Sequence, residues 1–590
     1  MHLSTLDWSI IVVFFVVSLI IGLLVSRRSG KSYSEYFLSG RSMPWWLLGI
    51  SMVATTFSAD TPNLVTDIVR KNGVAGNWVW WAFLLTGMLT VFVYAKLWRR
   101  SGIMTDLEFY ELRYSGKPAA FLRGFRAIYL GVFFNVMIMA SVSLAAIKIG
   151  GVMLGLTPLQ TLLIASVVTV IYTSLGGLRG VIWTDFLQFL MAMLGTVWAA
   201  IVVLRLPQIG GLSNLLHHES VQSRLNILPD FTDANLWVPL LLIPLAVQWW
   251  SVWYPGSEPG GGGYIAQRML SAKDEKNAIG ATMLFNLAHY ALRPWPWILV
   301  ALASLIVFPD LDSLRAAFPN VAAKVVNDDL AYPAMLTFLP AGLLGLVIAS
   351  LIAAFMSTIS THLNWGSSYI VHDFYKRFIR PEAGEREMVN VGRLSTVILM
   401  LCAALVALRL QNALQAFNIL LQIGAGTGLL FILRWFWWRI NAYSEIAAML
   451  ISFLVALYFQ FIYEGGMPDW QKLVAGVAIT TGGWVAVTFL TRPAEHKTLV
   501  NFYNLIKPHA YGWRAVIDAG VAKKEISEQE ITTGKLPREL FCMFLGVFLV
   551  YGALFTTGFL IYGEMAYFFS GLAISILCAI LLLKNWKKSL

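Results

Sequence analysis

The 590-residue sequence has little charge and little cysteine. Charged residues make up only 13% of it and hydrophobic residues 58%, whereas soluble domains carry about 25% charged residues. This shortage excludes an ordinary soluble protein and indicates a polytopic membrane protein. The three cysteines, Cys402, Cys542 and Cys578, lie in apolar runs. They show neither metal-ligand spacing nor a disulfide framework.

Signals of several function classes are missing too. The first apolar run, 8–26, lacks the basic flank and the small-residue cleavage site of a signal peptide. We find no phosphate loop, no nucleophile–base pair at a recognisable spacing and no appended soluble domain, so we do not expect an enzyme. The net charge of +11 does not indicate a nucleic-acid partner, because the basic residues lie mostly in alternate loops.

Apolar runs predict about 15 membrane-spanning helices, because one span needs about 20 apolar residues. A leading run covers 8–26, ten central runs follow, and four trailing runs end the chain. The central runs are 44–68, 76–98, 125–153, 158–174, 181–204, 236–256, 278–307, 337–373, 391–409 and 412–433, and the trailing runs are 445–463, 472–491, 540–562 and 566–583.

Lysine and arginine follow alternate apolar runs. The first basic loop spans 27–41 and the basic tail spans 584–588. By the positive-inside rule, this pattern predicts an external N-terminus and a cytoplasmic C-terminus. We expect a multi-pass protein of the plasma (inner) membrane, with the lipid bilayer as a partner and 493–539 as a cytoplasmic surface loop.

Two central helices are broken at corresponding positions. Pro62 interrupts the run 44–68 within a polar segment, and the run 236–256 ends at Pro255, shortly before Pro259. Proline removes a backbone donor, and the freed carbonyls must find partners within the membrane. Breaks in the first and the sixth of ten helices are typical of transporter binding sites. Two ordinary proline kinks are the alternative.

A hydroxyl-rich segment lies in another apolar run and suits a hard cation. Asp185 stands at the start of a different apolar helix, and Ala54 and Phe57 precede the first break, where carbonyls turn away from the helix. Hydroxyls that bond only their own helix are the alternative. The hydroxyl cluster, two adjacent pairs about one turn apart, consists of Ser357, Thr358, Ser360 and Thr361.

Three segments resemble the solute:sodium symporter family, and the resemblance runs from about residue 5 to 440. They are Gly176-Gly177-Leu-Arg-Gly-Val-Ile-Trp183-Thr184-Asp185, which looks like the family's Gly-Gly…Trp-Thr-Asp signature, Ala354-Phe-Met-Ser357-Thr358-Ile-Ser360-Thr361, which looks like its sodium-binding helix, and Gln267-Arg268-Met-Leu-Ser-Ala-Lys273, which matches its Gln-Arg…Ala-Lys loop.

The resemblance implies an all-α membrane protein with a five-plus-five inverted-repeat core, as in LeuT-like transporters, one leading helix and about four trailing helices. The expected segments are 1–43 with the leading helix and a cytoplasmic loop, 44–235 as the first repeat, 236–435 as the second repeat, 436–492 with two trailing helices, 493–539 as a cytoplasmic loop, and 540–590 with two helices and the basic tail.

The resemblance also implies where sodium binds. The coupling ion would be held by the carbonyls of Ala54, Phe57 and Ala354 and by the hydroxyls of Ser357 and Thr358. Some family members bind a second sodium further in. Its ligand positions correspond to Asp185, Ser357, Ser360 and Thr361, which all carry side-chain oxygens.

The solute is expected at mid-membrane between the two breaks. Where the family's sugar transporters carry a glutamine, an acid and a lysine, this chain has Thr61, Trp80 and His289, while Tyr254 keeps the tyrosine gate. These departures argue against a simple transfer of hexose specificity. The candidate solute contacts are Asp60, Thr61, Asn63, Trp80, Ser251, Tyr254, His289, Arg293, Asn418 and Gln422.

Arg293 is the least expected of these residues. It lies within an apolar helix, where an arginine is costly unless it has a partner. One interpretation is a contact to a carboxylate or a phosphate of the solute. The alternatives are an internal pair with Asp60 or Glu258, or a place in a water-filled vestibule.

We therefore expect a sodium-coupled symporter that imports a small polar solute, a sugar or another organic solute, by alternating access. Its partners would be Na+ and the solute, and it would need no cofactor beyond the coupling ion. Proton-coupled or uncoupled transport, with Asp185 as a proton carrier, and a transporter-like membrane sensor are the alternatives. Sugar, amino acid, carboxylate and polyol remain open as solutes, as does the oligomeric state.

Overall fold

The computed structural model describes residues 3–29, 31–56, 58–252, 258–319, 321, 326–410, 424, 426–531 and 535–589. These residues are largely helical and form no β-strand; the only strand-like pairing among them is an isolated bridge between Met43 and Ala272. The prediction of an all-α architecture is confirmed.

Within the described residues, eleven helices are long and apolar enough to span a membrane, and three further apolar helices are shorter. With the two half-helices that complete the broken spans, the membrane helices are α1 Thr5–Ser29, α2 Trp45–Thr56, α3 Thr61–Asn72, α4 Val74–Ser101, α5 Gly116–Leu154, α6 Pro158–Ser174, α7 Gly176–Leu204, α8 Ala234–Ala246, α9 Gly263–Ser271, α10 Glu275–Val307, α11 Leu343–Ile379, α12 Glu385–Ala407, α13 Ala442–Ile462, α14 Asp469–Leu490, α15 Leu536–Tyr562 and α16 Met565–Ser589.

One predicted span is described only in part. Of the run 412–433, residue 424 and residues 426–433 are described, and they are helical. With this partly described helix, the core has ten central spans. The helix α1 precedes them and the four helices α13 to α16 follow them.

The leading helix is fastened to the core by a carboxylate. Asp7 of α1 accepts hydrogen bonds from the backbone N–H groups of Gly342 (2.8 Å) and Gly345 (2.7 Å) at the start of α11. A helix N-terminus has N–H groups without intrahelical partners and carries a partial positive charge. The negative side chain of Asp7 therefore accepts hydrogen bonds from these N–H groups and lies beside the partial positive charge of the helix end.

Both predicted breaks interrupt the helices. The first separates α2 from α3, where Asp60 precedes the first turn and Pro62 lies within it, a position at which proline is tolerated. The second lies between α8 and α9. There Gly260 and Gly261 have φ angles of 87° and 99°, which glycine adopts readily and other residues rarely.

A third glycine turns the chain at the start of α7, directly after α6. Gly177 has φ 54° and ψ −162°, and a Cβ at this position would lie 2.7 Å from the carbonyl oxygen of Tyr36. The Gly-Gly signature therefore reflects both an unusual backbone conformation and a close approach between chain segments.

Short helices lie outside the membrane spans. The aromatic ring of Phe502 stacks on Trp513, with ring centroids 5.4 Å apart, and the indole N–H of Trp513 donates to the carbonyl of Trp435 at 3.0 Å. The segment after α14 therefore packs against the end of the tenth central span. These short helices include Tyr33–Leu38, Phe109–Arg113, Leu212–His217, Leu311–Ala317, Ala331–Leu336, His496–Ile506 and Arg514–Ala522.

Candidate functional site

Asp185 of α7 joins three other helices through its fully buried carboxylate. The hydroxyl of Ser51 in α2 donates to one oxygen at 2.5 Å, and the hydroxyl of Ser357 in α11 donates to the other at 2.6 Å. The guanidinium of Arg268 in α9 lies 3.7 Å from the same carboxylate. A buried carboxylate needs such partners, because desolvation penalises its charge.

The hydroxyl cluster of α11 contacts the last turn of α2, next to the first break. The Thr358 hydroxyl donates to the Thr55 carbonyl at 2.7 Å, and the hydroxyl oxygens of Thr55 and Thr361 lie 3.0 Å apart. Arg268 also donates to the Thr361 hydroxyl at 2.7 Å. Carbonyls and hydroxyls from two helices therefore converge where α2 ends.

The predicted sodium ligands share this region. Ala54 and Ala354 are buried in α2 and α11 beside the hydroxyl cluster, while Phe57 lies outside the described residues. Among the cluster's hydroxyls, that of Ser360 donates to its own helix, to the Ser357 carbonyl at 3.0 Å. Those of Ser357 and Thr358 donate to other helices, and a hydroxyl that has donated its proton keeps lone pairs for a cation.

Several candidate solute contacts meet between α4 and α10. The ring of Trp80 stacks on Tyr290, with centroids 5.8 Å apart, and lies edge-on to His289 at 5.5 Å. The indole N–H of Trp80 donates to the Asn77 side chain at 2.8 Å. This aromatic group lies next to Arg293 of the same α10 helix, which hydrogen-bonds the His289 ring.

Arg293 reaches the end of α2. Its guanidinium lies 3.4 Å from the carbonyl oxygens of Val53 and Thr56 and 5.4 Å from the Trp297 ring centroid. The last carbonyls of a helix lack intrahelical donors and carry a partial negative charge, so a cation is favoured there. Glu258, one of the internal partners considered for Arg293, forms a buried ion pair with Arg126 of α5.

Other candidates lie around the breaks. Both amide atoms of Asn63 and the hydroxyls of Ser58 and Ser251 are buried and have no hydrogen-bond partner among the described residues. Asp60 is half-buried, and the Thr61 hydroxyl lies 3.5 Å from the Thr56 carbonyl. Buried polar atoms normally have partners, so Asn63, Ser58 and Ser251 are suited to meet a ligand. Tyr254, Asn418 and Gln422 lie outside the described residues.

A family model decides the assignment. The model of the sodium:solute symporter family matches residues 36–452, well over half of the chain. This chain belongs to the sodium:solute symporter family. Membership implies sodium-coupled symport of a solute by a multi-pass membrane protein, and the expectation that the chain is a transporter and not an enzyme is confirmed.

Known proteins similar to this symporter match it at low identity over long stretches. The sodium/glucose cotransporter of Vibrio parahaemolyticus is 28% identical over 486 residues, covering 78% of this chain and 86% of that protein. The sodium/mannose cotransporter of Bos taurus is 27% identical over 508 residues (79% and 82%), and the sodium/myo-inositol cotransporter 2 of Sus scrofa is 26% identical over 502 residues (78% and 71%).

A solved structure matches the symporter's fold. The substrate-bound outward-open state of a Na+-coupled sialic acid symporter superposes with a TM-score of 0.68 at 21% sequence identity, covering 83% of this chain and 99% of that chain. The expected LeuT-like inverted-repeat fold is therefore confirmed.

Sequence reasoning assigned no role to five residues of the symporter's polar centre, by which we mean the hydrogen-bonded side chains around Asp185 and the end of α2. The five are Ser51, Thr55, Thr56, Tyr264 and Arg268. Ser51 and Thr55 of α2 bond Asp185 and Thr361, and the hydroxyl of Tyr264 lies 2.9 Å from that of Thr56. Arg268 was noticed only as part of a motif. The available signal was a hydroxyl at 51 and another at 55, one helical turn apart on one face of an apolar helix.

Arg268 bears directly on the second predicted sodium. Its guanidinium contacts Asp185 and Thr361, two of the four predicted ligands, and is fully buried. A second cation among these oxygens would lie beside a fixed positive charge in a region of low dielectric, where like charges repel strongly. The second sodium site stays a prediction, and Arg268 is the group with which that ion would compete.

Proposed function

We propose that this symporter uses downhill sodium entry to import a small, neutral polyhydroxylated solute, a sugar or a polyol, by alternating access. The observation that carries the proposal is the hydrogen bond from Thr358 of α11 to the Thr55 carbonyl of α2. It brings a pair of hydroxyls to the carbonyl end of a broken helix, which is the arrangement that binds coupling ions in such transporters.

In this mechanism sodium binds the carbonyls of Ala54, Phe57 and Ala354 and the hydroxyls of Ser357 and Thr358. The ion holds the end of α2 against α11 and favours an outward-open state. Binding of the solute then closes the outer side, and sodium and solute leave together on the inner side. Tyr254 serves as an inner gate. No cofactor besides the ion takes part.

Uptake into proteoliposomes tests the sodium site. Ser357→Ala and Thr358→Ala each remove one side-chain ligand, so sodium-driven uptake should be lost in both variants. Ser350→Ala is the matched control, because the Ser350 hydroxyl donates within α11 to the Val347 carbonyl at 2.8 Å. Unchanged sodium dependence in both Ser357→Ala and Thr358→Ala would refute the site.

The neutral solute class rests on two supports. The cotransporters of glucose, mannose and myo-inositol are similar to this chain over most of its length. The guanidinium of Arg293, which hydrogen-bonds His289 of the aromatic group, faces the carbonyls of Val53 and Thr56. The partly exposed ring of Trp80 suits a sugar ring.

A thermal-shift panel tests the solute class. Purified protein is heated in sodium and again in choline with glucose, mannose, myo-inositol, a sugar acid and an amino acid. A ligand that binds only the folded state raises the midpoint, so neutral polyols should stabilise the protein in sodium alone. Stabilisation by the acids only, or equal stabilisation in both salts, would contradict the proposal.

Proton coupling through Asp185 is the second candidate, and the full burial of this carboxylate between Ser51, Ser357 and Arg268 favours it. Uptake measured across sodium concentration and pH separates the two. Sodium-dependent uptake that survives in Asp185→Asn would leave sodium as the only coupling ion.

The proposed orientation places the N-terminus outside and the C-terminus in the cytoplasm of the plasma (inner) membrane. The basic loops and tail support it. An epitope added before residue 1 should be accessible in intact cells, whereas one added after residue 590 should require permeabilisation. The reverse pattern would overturn the orientation.

A further inference from the structure

A strongly basic cleft lies at the ends of three membrane spans, away from the ion and solute regions. It encloses about 660 Å³ including its mouth. Its walls come from α4, from the end of the tenth central span, from the segment after helix His496–Ile506 and from the start of α15. The charged and titratable lining residues are Lys96, Arg100, Lys507, His509, Lys535 and Glu539.

Cations outnumber carboxylates in this basic cleft. Four of its lining residues are lysine or arginine, and Glu539 is the one acidic residue among them. Outside the lining, Glu275 pairs with Arg100 at 3.1 Å. Counted over the described lining residues together with Glu275, four cations stand against two carboxylates, a balance that favours an anion.

Glu539 organises the floor of the basic cleft. One of its oxygens forms an ion pair with Lys96, and the other lies 3.0 Å from Nε2 of His509. All three side chains are largely buried. The carboxylate therefore holds an ammonium group and an imidazole in place inside the cleft.

The rim carries two further lysines, each at the end of a helix. Lys507 ends helix His496–Ile506 with φ 52°, the left-handed conformation that glycine usually supplies at this position. Lys535 immediately precedes α15, where no side chain caps the first N–H groups.

We propose that the basic cleft binds a phosphate-bearing anion. Lysine and arginine together bind phosphate oxygens through charge-assisted hydrogen bonds, and the first turn of α15 adds N–H donors. The cleft lies on the face marked by the basic loops, where clusters of cations between spans recognise anionic lipid headgroups. The phosphate comes from such a headgroup or from a soluble phosphate compound.

Binding to the purified full chain tests the site with three probes. Dioctanoyl phosphatidylglycerol presents an anionic headgroup, dioctanoyl phosphatidylcholine a zwitterionic one, and inorganic phosphate a free anion. Removing both rim charges in K507Q/K535Q should weaken phosphatidylglycerol binding roughly 30-fold, because each lysine near an anionic surface strengthens binding by a factor of about five. The control K523Q/K524Q removes two exposed lysines, one of them also at positive φ (58°), outside the cleft.

The outcomes separate the two sources of phosphate. Phosphatidylglycerol binding that only the cleft variant weakens supports a lipid headgroup, and the same result with inorganic phosphate supports a soluble ligand. The proposal fails if neither probe binds, if phosphatidylcholine binds as tightly as phosphatidylglycerol, or if the cleft and control variants behave alike. The single variant K535Q, at an exposed position, repeats the test should the double variant fold poorly.

Discussion

At the residue scale, Arg268 and Asp185 depend on each other. Both side chains are fully buried, and the guanidinium also holds Thr361. Removing one member of a buried ion pair leaves the other charge uncompensated, which costs about 3–5 kcal/mol. The pair therefore contributes to the stability of the polar centre, and its two charges determine which ions can bind there.

A double-mutant cycle measures this dependence. Arg268→Gln and Asp185→Asn should each lower the thermal midpoint, and the combined variant should lose less than the sum of the two. Arg268→Lys should restore only part of the stability, because an ammonium group lacks the planar fork that reaches two partners. Strictly additive losses would mean that the two residues act independently.

At the element scale, the turn between α6 and α7 positions Asp185. Gly177 combines a φ of 54° with a close approach to the Tyr36 carbonyl, and α7 carries Asp185 two helical turns further on. The turn therefore fixes where the carboxylate meets α2 and α11.

Gly177→Ala should destabilise the protein by about 1–3 kcal/mol, because its backbone region is accessible almost only to glycine. Gly180→Ala is the matched control, since a Cβ at Gly180 would meet nothing within 4 Å and alanine favours a helix. Thermal midpoints in detergent give the comparison. Equal effects of the two substitutions would show that the turn is not constrained.

At the scale of the whole molecule, buried ion pairs connect the two halves. Arg126 of α5 pairs with Glu258 at the second break, and Arg123 donates to Asp373 of α11 at 2.7 Å. Arg126 also stacks over Phe431, 5.0 Å from its ring centroid. In the proposed alternating-access cycle the second break would move relative to α5, and the pair of Arg126 and Glu258 would resist that movement.

Glu258→Gln should loosen the contact between the second break and α5. We expect a lower thermal midpoint and faster hydrogen exchange across Gly263–Ser271, because Arg126 loses its counter-charge. Glu275→Gln removes the partner of Arg100 in a pair that is partly exposed, and such pairs contribute about 0–1 kcal/mol. Identical hydrogen exchange in both variants would show that Glu258 does not hold the second break against α5.

The fold was accessible from the sequence, but most polar partners were not. Span length and broken helices are local signals, so hydropathy and Pro62 were enough to predict them. The pair of Arg126 and Glu258 joins residues 132 positions apart, and nothing near either residue indicates the other. The same holds for Arg268, whose role depends on how α9 packs against α7. The lining of the basic cleft comes from four separate segments for the same reason.

The contact between Asp7 and the start of α11 has a consequence for biosynthesis. Asp7 leaves the ribosome well before its donors, the backbone N–H groups of Gly342 and Gly345, which lie 335 and 338 residues later. At about 5–20 residues per second, the carboxylate waits roughly 20–70 s for these donors. Until then this contact cannot form, so α1 is fastened to the start of α11 only after most of the core has been synthesised.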